Sequence, residues 1–328
     1  MRVAPRRLLP ITMSLLVALG LSACAAAVDP RIDVAASASP RSDLWRQAAA
    51  AESALADTYA QAALYAKLAG SNALETCVEW CPAAQAMHAA HATTLTQPDP
   101  WGGYVKPAVP SSGATGAPAF SDADSATAAL QKAAQACLDA DRAGLVAAQP
   151  GQEAMLWASL AATARASVAY AANPATVRPP PLPGDVVPSP RTPGPTLDAA
   201  TRTLDAVNTL IYGLTTAMAQ PSTSAPLRQQ LVDRLASVNA DVNTLQATIG
   251  AAGQTPPPAQ LAYTLPGTID SDDAVRATWG ILESAVAMDY VRLAGTQTGD
   301  AAAHSADRAD FGTATALGQA VTWWPGWG

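Results

Sequence analysis

The sequence predicts an all-α protein made of two four-helix bundles in tandem, joined by a proline-rich linker. Composition is the first reason. Hydrophobic residues make up 49% of the chain but aromatics only 5%, and much of the remainder is alanine, which forms helices readily and lets them pack closely. Runs of Val, Ile, Tyr and Phe that would build strands are nearly absent. The second reason is Asn173–Thr196, with nine prolines, a residue that helix interiors and strand ladders exclude. The third is that apolar residues recur at helical spacing on both sides of it, each time as two helices, a long loop and two more helices.

The chain opens with a targeting segment. Arg2, Arg6 and Arg7 form a basic region and Leu8–Gly20 a short apolar one, followed by Leu21-Ser22-Ala23-Cys24, which has the form of a bacterial lipobox. That resemblance implies cleavage of residues 1–23, acylation (palmitate) at the Cys24 thiol, and anchoring to the outer face of the plasma membrane. Residues 24–43 are small, polar and proline-punctuated, as a flexible tether is. Cleavage removes three arginines and no acids, leaving sixteen basic against 26 acidic residues, a net charge of −10. Such a surface repels phosphates, so no nucleic-acid partner is expected.

The first bundle spans residues 44–172. Leu44, Ala48, Ala51, Leu55, Ala62 and Tyr65 predict a helix to about Leu68. A second helix is expected from Pro82, a residue tolerated in a first turn, to about Leu95. Thr96–Phe120, rich in Pro, Gly and Ser, is a crossing loop. Ser121-x-x-Asp124 opens a third helix in the style of a capping box, with Leu130, Ala134, Cys137 and Leu145 inward, and Gln152–Ala172 is the fourth.

The second bundle, residues 197–328, repeats the plan. Leu197, Ala200, Leu204, Val207, Ile211, Leu214 and Met218 form one seam, and Leu227, Leu231, Leu235, Val238, Val242, Leu245 and Ile249 another. After the Gly250–Thr268 loop, a third helix opens beyond Asp270. The fourth is expected from about Asp300 to Val321, weakened by Gly312 and Gly318. Asp122–Leu145 aligns without gaps on Asp270–Leu293 with six identities in 24, pairing Asp141 with Asp289, and Glu52 falls opposite Asp205. These correspondences read as a diverged duplication, and two helices, a long crossing loop and two more is the up-down-down-up plan of ferritin-like bundles.

Four stretches carry a resemblance: Asp205–Gly213 (DAVNTLIYG), Pro256–Pro266 (PPPAQLAYTLP), the acidic opening Asp270–Ala274 and the end Val321–Trp324. In these, residues 196–328 resemble the actinobacterial ferritin-like domain of unknown function 4439, and residues 44–172 look like a more distant copy. The resemblance implies a ferritin-like fold for both halves and brings no iron with it. Family members tend to have Glu-His in the first helix; Asp205-Ala206 and Glu52-Ser53 stand there in this chain.

The sequence offers no catalytic set and no cofactor motif. A di-iron centre in such a bundle needs a Glu from each of two helices and a Glu-x-x-His from each of the other two, and the chain has three histidines, His88, His91 and His304. No metal site is therefore expected. The alternative is a non-standard site of Glu52, His88 and His91 in bundle one, with Asp141 as the other carboxylate the two histidines could share a metal with, set against two partly exposed histidines beside a loop. Cys77, Cys81 and Cys137 leave a disulfide open between any two of them. Trp323, Trp324 and Trp327 offer an interaction surface, unless they fold back over the end of the bundle. These features favour a membrane-anchored, non-enzymatic binding or scaffolding protein of the cell envelope. Its partner would be another envelope protein or a small molecule, and the alternative is a metal-binding or redox protein.

Overall fold

The computed structural model describes residues 43–69, 74–97, 99–100, 119–183 and 194–327. The expected leader, Cys24 and the expected tether through residue 42 lie outside the described residues, as do most of the Thr96–Phe120 loop and residues 184–193 of the proline-rich stretch. What is described is all-helical apart from one isolated bridge, Leu182 with Thr322. The helices are α1 (Asp43–Ala69), α2 (Cys77–Thr96), α3 (Ala123–Ala147), α4 (Gln152–Ala172), α5 (Thr196–Ala219), α6 (Ala225–Ala251), α7 (Asp272–Ala294), α8 (Gly299–Arg308) and α9 (Phe311–Ala316). None is long and apolar enough to cross a membrane.

Three elements differ from expectation for identifiable reasons. The second helix starts at Cys77 rather than Pro82, so Pro82 sits inside it. Its missing N–H orphans the carbonyl of Val78, an exposed residue that can turn to water. The cap of α3 is Asp122, whose carboxylate accepts from the Ser125 N–H while the Ser125 hydroxyl accepts from the Asp122 N–H. The last predicted helix is two short ones. The chain leaves helical geometry at Ala309–Asp310, Asp310 caps α9 through the Thr313 N–H, and a turn at Leu317–Gly318 (φ +91°) ends it.

Side-chain contacts fix the helix directions. Glu52 meets His88 while Tyr59 meets Trp80, so α1 and α2 are antiparallel. Gln61 reaches Ala119 while Glu52 lies beside Asp141, so α3 also opposes α1. Gln131 reaches Ala171 and Gly144 abuts Trp157, so α4 opposes α3. In the second half α7 opposes α5, through Gly213 on Leu282 and Thr203 on Asp289. It runs parallel to α6, through Gln230 on Arg276 and Arg234 on Glu283.

The two halves share a core. One hydrophobic cluster runs from Ala48 and Met87 through Trp157 to Trp279, Phe311 and Trp327. A second, with Leu55, Tyr59, Trp80, Leu130 and Tyr170, stays within the first half. The start of the proline-rich stretch is not a free spacer. The Leu182 N–H donates to the Val321 carbonyl and the Trp323 N–H to the Leu182 carbonyl, at 3.0 and 3.2 Å.

The C-terminal tryptophans do not form a surface. Trp323, Trp324 and Trp327 are buried. In an alanine-rich interior few side chains are large, and an indole fills volume that alanine leaves open. Gly326 (φ +87°) makes the turn that returns them to the core; a Cβ there would stand 2.6 Å from Val291 Cγ1.

Candidate functional site

The first half holds a fully buried polar cluster contributed by all four of its helices. Glu52 lies on the inward stripe of α1 with Ala48, Leu55, Tyr59, Ala62 and Ala66. His88 and His91 lie on that of α2 with Cys77, Cys81, Ala84 and Leu95. Asp141 and Cys137 share the α3 stripe with Leu130, Ala134 and Leu145, and Ser167 belongs to α4. All six polar residues have zero exposure. The histidines, expected to be partly exposed, are thus in the core.

Glu52 is the hub. Its Oε2 lies 2.5 Å from His88 Nδ1 and its Oε1 3.1 Å from His91 Nδ1. The far side of each imidazole is also held. His91 Nε2 donates to the Trp323 carbonyl at 2.8 Å, and His88 Nε2 is 2.9 Å from the Ser167 hydroxyl. A carbonyl can only accept, so the His91 proton is on Nε2. A neutral His91 therefore turns the lone pair of Nδ1 towards a carboxylate oxygen. A proton, on the ring or on the carboxyl group, or a metal ion must then lie between them. An imidazole that gives its other N–H to a carbonyl and turns its free nitrogen to a carboxylate is the arrangement of a metal-ligating histidine.

Electrostatics sharpen the picture. Burial alone would raise the Glu52 carboxyl, but His91 and His88 outweigh it and bring the pKa down to about 2. Burial pushes His88 below its ordinary value against the pull of Glu52, so that ring is neutral near pH 7. Burial, and then the Glu52 charge, push Asp141 well above the carboxylate range. Burial, Asp141 and Glu52 do the same to the Cys137 thiol. The thiol approaches Asp141 Oδ2 at 3.6 Å, and Asp141 Oδ1 has no hydrogen-bond partner. Among the described residues no Lys or Arg pairs with Glu52 or Asp141. Ligand atoms of Glu52, His88 and His91 lie within 4.8 Å of one another, and so do those of Glu52, Cys137 and Asp141.

Aromatic rings wall the cluster. Tyr59 stacks on His88 (5.7 Å between centroids) and Trp324 packs against His91 (4.6 Å). Trp80 and Tyr170 stack at 4.0 Å one layer further out. There the cysteine question is answered: Cys77 and Cys81 form the disulfide, and Cys137 is a free, buried thiol.

The second half fills its polar interior differently. Glu283 is held by Arg234 at 2.7 and 2.8 Å and by Trp279 Nε1 at 2.7 Å. Arg308 donates to Asp241 at 2.5 Å. Its carboxylates have guanidiniums of the chain itself as counter-ions. The residues paired by alignment are not alike in place: Asp205 is exposed where Glu52 is buried, and Asp289 pairs with Arg292 where Asp141 has no cation. An open cleft of about 590 Å³ has Arg165, Arg234, Asp241, Asp307, Arg308 and Asp310 in its wall, interspersed with Val168, Ala169, Ala172 and Ala240.

Sequence reasoning brought His88 and His91 together with Glu52 or Asp141, left Cys137 between a small core residue and a disulfide partner, and overlooked Ser167 as their companion. The signal was present, because each occupies a position where helical spacing demands an apolar side chain. No protein-family model, curated protein or solved structure matches the chain, so what it does has to be read from this cluster.

Proposed function

We propose that the protein binds a divalent first-row transition-metal ion at Glu52, His88 and His91, inside a ferritin-like helical half. The observation that carries this is the His91 ring, whose Nε2–H is committed to the Trp323 carbonyl while Nδ1 faces Glu52. Two imidazoles and one carboxylate suit Fe²⁺, Zn²⁺ or Mn²⁺ better than Ca²⁺ or Mg²⁺, which prefer oxygen ligands alone. Bound there, such an ion supplies a positive charge beside Glu52, with which no Lys or Arg pairs among the described residues, together with one-electron chemistry if it is redox-active. Glu52 holds it between the two rings, Ser167 and Trp323 orient the rings, and the surrounding aromatics keep water out. The lipobox and Cys24 add a location to this reading, the outer face of the plasma membrane. A scaffold with a wholly apolar interior fits the buried cluster less well.

A proton in place of the metal is the second reading, favoured by the depressed Glu52 pKa: Glu52 and a protonated His91 would then form a structural ion pair. Metal analysis of protein prepared without chelators and then loaded with Mn²⁺, Fe²⁺ or Zn²⁺ separates the two. The metal reading expects at least one equivalent per chain, with uptake lower by at least one equivalent in both Glu52→Gln and His88→Ala, and a rise in Tm on loading. No uptake by folded wild-type protein, or uptake that neither substitution changes, overturns it.

A further inference from the structure

The Glu52–His88–His91 group leaves part of the cluster unused. Close to Glu52, Asp141 and Cys137 are fully buried, one turn apart on α3, and neither hydrogen-bonds to the histidines. The two cysteines of the disulfide are paired with each other, so the Cys137 thiol has no sulfur partner among the described residues. Asp141 Oδ1 is a carboxylate oxygen with zero-exposure surroundings and no hydrogen bond. Buried polar atoms without partners are rare, and one beside two further acidic groups asks for a cation.

We propose a second cation position at Glu52, Asp141 and Cys137, sharing Glu52 with the first and containing one thiolate ligand. It rests on the metal-binding reading above and extends it from one ion to a pair. The spacing fits. An ion bound at about 2.1 Å to oxygen and about 2.3 Å to sulfur in tetrahedral geometry holds those two atoms about 3.6 Å apart. Cys137 Sγ and Asp141 Oδ2 are 3.6 Å apart, and the ligand atoms of all three residues lie within 4.8 Å of one another. Glu52 has two oxygens, and a carboxylate can bridge two ions. The charge fits as well: two carboxylates and a thiolate, with no Lys or Arg paired to them among the described residues, are balanced by divalent ions, and the protons of Asp141 and Cys137 leave as the ion enters. A thiolate also biases the choice of metal. Sulfur favours Zn²⁺, Co²⁺ or Fe²⁺ over Mn²⁺ at this position, while the histidine position accepts any of them.

Cobalt distinguishes the two positions, because a thiolate bound to Co²⁺ gives a near-ultraviolet charge-transfer band that imidazole and carboxylate do not. Full-length protein is titrated with Co²⁺ alone, and bound metal and spectrum are followed together. Two equivalents per chain are expected. The charge-transfer band should vanish in Cys137→Ser, with uptake falling to one equivalent, while His88→Ala keeps the band. Asp141→Asn, nearly isosteric, provides the same test should the cysteine variant fail to fold, and is expected to weaken the band-forming step at least tenfold. One equivalent without a band in wild-type protein overturns the second position and leaves the histidine position standing. No cobalt uptake at all overturns both.

Discussion

His91 on α2 donates its Nε2–H to the backbone carbonyl of Trp323, 232 residues further along the chain, at 2.8 Å. A residue of the first half is thus oriented by a strand-like segment that belongs to the second. That segment is held by the Leu182 pairing, by Arg292 Nε donating to the Gly326 carbonyl at 3.2 Å, and by the turn at Gly326. Gly326→Ala would force a side chain into positive φ and against Val291. A cost of about 1–3 kcal/mol is expected in denaturant unfolding, with faster loss of bound metal to a chelator although no ligand has changed.

Ser167→Ala tests the other imidazole. It removes the partner of His88 Nε2 at a fully buried position, which should cost about 1–3 kcal/mol of stability. Metal affinity should fall roughly 10–100-fold, as is usual when an outer partner of a ligating histidine is lost. Competition titration against a chromogenic chelator measures it, and an affinity unchanged from wild type would show that Ser167 does not orient the ring.

The all-helical architecture was legible in the sequence because it is written in spacing. Val207, Leu214, Leu231 and Val238 fall on seams that only a helix brings to one side, and each is buried. The cluster was half legible for the same reason turned round. Glu52, His88, His91 and Asp141 interrupt otherwise apolar stripes, yet single polar residues in alanine-rich helices look like solvated positions until the neighbouring helix is known. What could not be read was the contribution of distant chain. Nothing near Trp323 in sequence announces that its carbonyl meets His91, and three indoles in five residues read as a surface until the volume they fill is seen. The break at Asp310 was hidden because Ala309 and Asp310 are compatible with continuing a helix; the cap to Thr313 decides it.

The second half predicts a different response to losing a charge. Glu283 is 2% exposed and its counter-ion is the Arg234 guanidinium. Arg234→Met strands that carboxylate and should cost about 3–5 kcal/mol, whereas Arg234→Met combined with Glu283→Leu should recover most of the loss. Chemical denaturation of the three proteins gives the comparison, and metal uptake should be the same in all of them.

For metal-free protein the pH dependence has opposing parts. The folded pKa of His88 lies below its ordinary value of 6.5, so stability falls as pH drops from there and the unfolded chain gains a proton that the folded ring resists. Glu52 titrates at about 2 when folded and near 4.5 when unfolded, and the stability it contributes above 4.5 is lost as pH falls between the two. Asp141 acts in reverse. Its folded pKa is raised well above 3.8, so its contribution is lost as pH rises through that interval. Asp141→Asn removes only this last part. Relative to wild type it should gain about 1.4 kcal/mol per pH unit between pH 4 and the folded Asp141 value, as read by urea unfolding in chelator. A pH-independent difference would place an unprotonated Asp141 in the metal-free core.

The bond from His91 to Trp323 also sets an order of assembly. A ribosome delivers the four helices of the first half, complete at Ala172, before it has made the carbonyl that fixes His91, and 151 residues separate Ala172 from Trp323. Until then Glu52 is the one hydrogen-bonding partner in the first half that the His91 ring has among the described residues. Any ion held at that stage sits behind an open door, and retention begins only when the later sequence has arrived and folded across it.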